Sequence, residues 1–235
     1  RYASSLSGES PQGRQYSLVG DAELDEGAVW EALLDPHVHD LGEIVWIVDL
    51  NRQSLDRVVP DMAAGKLERM FAAVGWQVIT VAFGRLLDEL FSREGGGVLR
   101  SRILDMPNPE YQRLLRCPVD ELRRRLPGTG PDAAAIGALL AGIGDDELRA
   151  AIRNLGGHDL EALRAAFARI DDTRPTVIIA YTIKGNGLPT EGHPQNHSSL
   201  LTAAQYAELA ERLGEDPAEP WRRFAAGSAE GALCA

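Results

Sequence analysis

Short, unbroken apolar runs alternate along this chain with longer segments whose apolar residues recur at helical spacing. Gln15–Gly20 (QYSLVG) reads as a short strand ending at glycine. From Asp25 to Leu34, Ala28, Val29, Leu33 and Leu34 share one side of a helix that Pro36 ends. Residues 43–50 (EIVWIVDL) are nearly all apolar, the signature of a strand buried on both faces of a parallel sheet. A helix over 65–74 and a strand over 76–82 (WQVITVA) follow. Five prolines (107, 109, 118, 127 and 131) cut residues 105–135 into short pieces. Residues 133–153 and 159–170 are rich in Ala, Leu and Arg and read as helices, with Asp159 capping the second. Thr176–Thr182 (TVIIAYT) is a last buried strand, residues 184–199 a loop rich in Gly, Pro and His, and Thr202–Leu213 a closing helix capped by Thr202. Strand-helix alternation predicts an α/β fold, a parallel sheet flanked by helices. Residues 1–14 read as a polar loop or severed helix end, and the tail from Gly214 as a linker.

The formal net charge of −11 argues against a nucleic-acid partner, because phosphate backbones attract basic surfaces. Cys117 and Cys234 form no metal or disulfide pattern, which fits a cytoplasmic location. No apolar run is long enough to span a membrane. The chain begins with Arg1, so a fragment of a longer polypeptide is expected, with trimming or processing as the alternative.

The chemistry concentrates where two strands end. In open α/β sheets ligands bind beyond the carboxyl ends of strands. Gly20-Asp21-Ala22-Glu23 closes the first strand, Gly20 allowing a tight turn and Asp21 presenting a carboxylate. The next strand runs into Asn51-Arg52-Gln53. If these strands are neighbours, Asp21, Asn51 and a backbone carbonyl converge on one hard cation. Magnesium takes few protein ligands, and phosphate oxygens complete its shell. The plainer reading is that Asp21 and Asn51 are turn formers.

The segment from Gly20 to Asp56 resembles the thiamine diphosphate signature, in which Gly-Asp-Gly is followed, one helix and one strand later, by Asn. It is most similar to the group of homodimeric pyruvate dehydrogenases and transketolases. Gly20-Asp21-Ala22-Glu23-Leu24-Asp25-Glu26 matches that group's GDGE-MDE frame, and Asn51-Arg52-Gln53-Ser54-Leu55-Asp56 its N-x-Q-x-L-D ending. Glu26-Gly27, Trp30-Glu31-Ala32, Gly75–Ile79, Pro109-Glu110-Tyr111-Gln112, Gly156-Gly157-His158-Asp159 and Tyr181–Gly185 extend the similarity across most of residues 15–200. The resemblance implies thiamine diphosphate and Mg2+ as cofactors. Asp21, Asn51 and the Gln53 carbonyl would ligate the metal, and Gly20, Ala22 and Glu23 would approach the diphosphate. The family has Gly at the position of Ala22, whose methyl adds bulk there and restricts positive φ.

His193 and His197 lie in the loop after the last strand, where the family carries a histidine close to cofactor and substrate, and His197 is the closer match. An exposed polar loop and a zinc site are the competing readings, and Pro194 argues against the helix a His-x3-His zinc pair needs. His158 reads as a helix entry, and Lys184 as a phosphate or carboxylate ligand or an exposed loop lysine. Gly128-Thr129-Gly130 mimics a dinucleotide fingerprint but follows no strand. The resemblance further implies a substrate that is a 2-oxo acid or a ketose. It implies a diphosphate-binding domain over 1–213, incomplete at its N-terminus, and a linker over 214–235 toward a missing pyrimidine-binding domain or subunit. The assembly would be a homodimer or heteromer, inactive without that partner. Pyruvate dehydrogenase-like decarboxylation, transketolase-like two-carbon transfer and a non-catalytic module are the functions it leaves open, and the N-x-Q-x-L-D ending favours the first.

Overall fold

The computed structural model describes residues 13–54, 57–58 and 64–234. The polar stretch 1–12, and Leu55 and Asp56 at the end of the Asn51 motif, lie outside the described residues. Four parallel strands form the sheet: β1 (Gln15–Gly20), β2 (Ile44–Leu50), β5 (Gln77–Val81) and β6 (Thr176–Tyr181), in the order β1-β2-β6-β5. A two-residue antiparallel pair, β3 (Gln53–Ser54) with β4 (Arg57–Val58), sits beyond the end of β2.

Helix α1 (Gly27–Leu33) carries the chain from β1 to β2, and α2 (Ala64–Ala73) carries it on to β5, leaving a gap in the sheet. The gap is filled only after a long helical excursion, when β6 inserts between β2 and β5. All six residues of β6 are buried, as its central place demands. Alternation along β2 divides the core. Trp46, Val48 and Leu50 face a large cluster that holds Phe71 of α2, while Val45 and Ile47 face a smaller one with Ile79, Ile178 and Ala166 of α9 (Leu160–Phe167). Asp49 shares the side of Val45 and Ile47 by the same period.

Three of the five prolines of the middle region start helices. Pro107 precedes α5 (Asn108–Arg116), with Pro109 in its first turn, and Pro118 precedes α6 (Val119–Arg125). Helices α3 (Arg85–Phe91) and α4 (Gly96–Leu104) come before them. The single helix expected over 133–153 is two, α7 (Ala133–Ala141) and α8 (Asp145–Arg153), because Gly142 and Gly144 interrupt it. The helix expected from Asp25 starts two residues later and buries Leu33, while Leu34 is exposed. Residues 21–25 form a 3-10 turn instead. Thr202 caps α10 (Ala203–Leu213) through a capping box with Gln205, and Gly214 ends it in a left-handed conformation. The tail carries one short helix, α11 (Ala229–Leu233). Among the described residues no helix is long and apolar enough to cross a membrane.

Asp159 caps α9 as expected, accepting from the amides of Glu161 and Ala162 at 3.1 Å. It also accepts from the Arg85 amide at 2.9 Å and so ties α9 to the start of α3. That bond above all, with the two cap amides and the Asn154 side chain, holds its carboxyl below the usual range. A depressed carboxylate contributes stability above its unfolded pKa and loses it as pH falls through the folded value. Asp159→Ala is therefore expected to cost about 2 kcal/mol at pH 7. Urea unfolding should show the gap from wild type closing on acidification below about pH 4.

Candidate functional site

Parallel pairing sets Gly20 directly against Asp49, so the chain leaves β1 and β2 side by side. The turn after β1 is fixed from beneath: Leu24 is buried, and its carbonyl accepts from the Trp30 indole at 2.8 Å. The Trp30 ring lies 5.3 Å from Phe71, which packs 5.5 Å from Trp76, so an aromatic layer supports the turn. Gly20 itself is extended (φ −70°, ψ 150°), and the tight glycine turn expected there is absent. The 3-10 turn that begins at Asp21 makes the change of direction with ordinary dihedrals. Among the described non-glycine residues only Arg52 and Asp172 have positive φ, so the Ala22 methyl meets no backbone penalty. Ala22 is half-buried and Glu23 exposed.

Asp21 and Asn51 come together. The Asn51 amide donates to the Asp21 carboxylate at 3.3 Å, and the Asn51 side-chain amide donates to Asp49 at 3.4 Å. The Asn51 side-chain oxygen accepts from the Gln53 amide at 3.1 Å, which closes the loop on itself. Asn51 is 7% exposed and Gln53 1%. Burial pushes the Asp21 carboxyl up to about 6, and nearby Asp49 adds to the rise. The amides of Asn51 and Ala22 and the charge of Lys184 oppose it. The donors at this edge are carboxylate and amide oxygens, with two acidic groups close together. A hard divalent cation suits that set, because it takes oxygen ligands and relieves the repulsion between the acids. Among the described residues no group of three or more His, Cys, Asp and Glu forms a metal cluster. Phosphate oxygens would have to complete the shell.

The histidine loop reaches this edge in two ways. Gln53 donates its side-chain amide to the His193 carbonyl at 3.2 Å, while the His193 ring accepts from the Gln195 amide at 3.1 Å. His197 is exposed, and its Nδ1 stands 3.2 Å from Lys184 Nζ. The two imidazoles are thus engaged separately, and Lys184, whose charge acts on Asp21, links His197 to the carboxylates.

Asp49, Thr182 and Gln112 also lie at this edge; Thr182 and Gln112 fall in segments that carry the resemblance, but the sequence gives none of the three a site role. The Thr182 hydroxyl donates to Asp49, and Gln112 donates to the Asn51 carbonyl at 3.4 Å. An acidic residue one position from the end of the apolar run EIVWIVDL was the available signal for Asp49. His158 does not cap a helix: its Nε2 accepts from the Ile183 amide at 2.8 Å. Gly156 and Gly157 permit this, since a Cβ at either would strike Val81 or Tyr181 and Thr182. Gly128 follows α6, not a strand, so the dinucleotide fingerprint has no strand context here.

Residues 9–90 and 149–225 match the family described as the thiamine diphosphate-binding domain of transketolase. The chain is 33% identical over 199 residues to the pyruvate dehydrogenase E1 component of Haemophilus influenzae, covering 83% of this chain and 22% of that protein. The Escherichia coli K12 protein of the same name is 31% identical over 185 residues, covering 77% of this chain and 20% of its own length. The chain thus spans about a fifth of these curated relatives. The crystal structure of Campylobacter jejuni transketolase aligns at 18% identity over 88% of this chain and 21% of that one, with a TM-score of 0.45.

Burial lowers the His158 pKa, and the charges of Asp49 and Glu191 do not overcome it. A depressed pKa gives stability that is complete above the unfolded value, about 6.5, and is lost as pH falls toward the folded value. Protonation would also remove the acceptor for the Ile183 amide. Denaturant midpoints measured between about pH 7.5 and 5 should show the stability of wild type decreasing relative to that of His158→Gln on acidification.

Proposed function

Because the chain belongs to the family of transketolase thiamine diphosphate-binding domains, we propose that it is the diphosphate- and magnesium-binding part of a thiamine diphosphate-dependent 2-oxo acid dehydrogenase, pyruvate dehydrogenase-like and decarboxylating. The observation that carries this reading is the meeting of Asp21 and Asn51 at the ends of two adjacent parallel strands. Asp21 would give Mg2+ a carboxylate oxygen, Asn51 its amide oxygen and Gln53 its main-chain carbonyl. Gly20, Ala22 and Glu23 would face the diphosphate through their main chain. When bound, thiamine diphosphate supplies the electron sink for breaking the bond beside a substrate carbonyl. The protein's own part is binding, orientation and proton handling.

His197 and His193 are the proposed proton carriers. A Lys184 ammonium donating to His197 Nδ1 leaves the ring proton on Nε2, and the Gln195 amide has the same effect on His193. Each ring could then hold or deliver a proton at a substrate oxygen. The similarity to pyruvate dehydrogenase E1 components supports a 2-oxo acid as substrate. The transketolase family description supports the second reading, two-carbon transfer from a ketose. Residues 1–213 would form the domain and 214–235 a linker. Turnover would need a pyrimidine-binding domain or subunit in a homodimer or heteromer.

Calorimetry with inorganic pyrophosphate, and then thiamine diphosphate, tests the reading in the presence and absence of Mg2+. Binding should require Mg2+, and Asp21→Ala should weaken it by about 100-fold or more, beyond what outer-shell residues usually contribute. Binding that ignores magnesium, or survives the substitution, removes the enzyme reading. With binding secured and a partner present, release of CO2 from a 2-oxo acid separates decarboxylation from ketose cleavage.

A further inference from the structure

Arg52 stands between Asn51 and Gln53 but has no part in the proposed metal site. It is 3% exposed, and its φ of 66° is a conformation that side-chain-bearing residues rarely adopt. Its Nη1 is buried without a hydrogen-bond partner, and no acidic side chain pairs with it among the described residues. The guanidinium lies instead over the ring of Tyr111, with Cζ 3.9 Å from the centroid. Tyr111 is completely buried, and its hydroxyl donates to the Ile152 carbonyl of α8 at 2.6 Å, which fixes the ring. The next residue of α5, Gln112, donates to the Asn51 carbonyl. Two consecutive side chains of one helix therefore grip two consecutive residues of the loop, and the Tyr-Gln pair of α5 backs that loop from the core side.

We propose that Arg52, stacked on Tyr111, is a positioning residue that holds the Asn51–Gln53 loop in its left-handed turn, so that the Asn51 oxygen closes onto the Gln53 amide while the Asn51 amide faces Asp21. Its consequence for metal binding rests on the proposed function. Its consequence for the loop does not. A glycine at this position would accept the backbone conformation freely, so strain alone predicts that Arg52→Gly tightens the loop. A clamp predicts the opposite.

The test uses R52G, R52K, Y111L, Y111F and the R52G/Y111L double variant of the chain. Amide hydrogen exchange followed by NMR reads Asn51 and Gln53 directly, without any metal. R52G and Y111L should each speed exchange at both amides by about 10-fold, with the β6 amides unchanged, and the double variant should add little to the larger single effect. R52K and Y111F keep a cation and a ring, and should stay within about 3-fold of wild type. Unchanged or slower exchange in R52G, or additive effects in the double variant, overturns the inference. If Y111L loses protection in β6 as well, it has unfolded, and the contrast between R52G and R52K decides. Magnesium-dependent pyrophosphate binding should weaken about 10-fold in R52G, a loss typical of a residue that orients ligands without being one. If wild type itself binds no magnesium, the proposed function fails, and the exchange result still decides the clamp.

Discussion

Parallel hydrogen bonding between β1 and β2, in the register that sets Gly20 against Asp49, is the constraint on which the site depends. A slip of one residue would turn every β2 side chain to the opposite face and carry Asn51 away from Asp21. Burial holds the register. Trp46, Val48 and Leu50 must face one core, and Val45 and Ile47 the other, so burial excludes a one-residue slip. The apolar composition of a strand thus specifies where polar groups meet beyond its end.

That meeting point is electrostatically unfinished. Asp21 and Asp49 lie close together, and Asn51 donates to both. Burial holds the Asp21 carboxyl near 6, Asp49 works in the same direction, and the counter-charge acting on it is that of Lys184. On the core side the buried charge has the opposite sign, the Arg52 guanidinium lying over the Tyr111 ring. Ring contact offsets part of the cost of burying a cation, by about 2 kcal/mol when water is excluded. A left-handed backbone costs a residue with a side chain about 1–2 kcal/mol.

Much of the architecture was legible from periodicity because the strands here are short and uniformly apolar. The four expected strands are all present within two residues of the expected limits, while the two-residue pair β3–β4 carries too little pattern to be expected. The caps at Asp159 and Thr202 were legible for a local reason: the side chain and the amides it accepts are neighbours in sequence. The 133–153 region misled because the strong helix propensity of Ala and Leu masked a local break signal, Gly142 and Gly144, which cap the facing ends of two helices. Gly20 misled differently. Its neighbours entered a 3-10 turn that needed no glycine freedom.

Local pattern by itself determined the strands and caps, and singled out Asp21 and Asn51 as an acid and an amide that meet if their strands are neighbours. It also carried the family, through residues whose order along the chain is preserved. Tertiary structure alone decided that β6, formed last, lies between β2 and β5, and that Asp49, Thr182, Gln112 and His158 belong to the site. Tertiary structure also turned Arg52 inward onto Tyr111. Short-range periodicity reports which face of its own element a residue occupies. It holds no information about which distant element will meet that face, because that choice is made by the packing of the whole core.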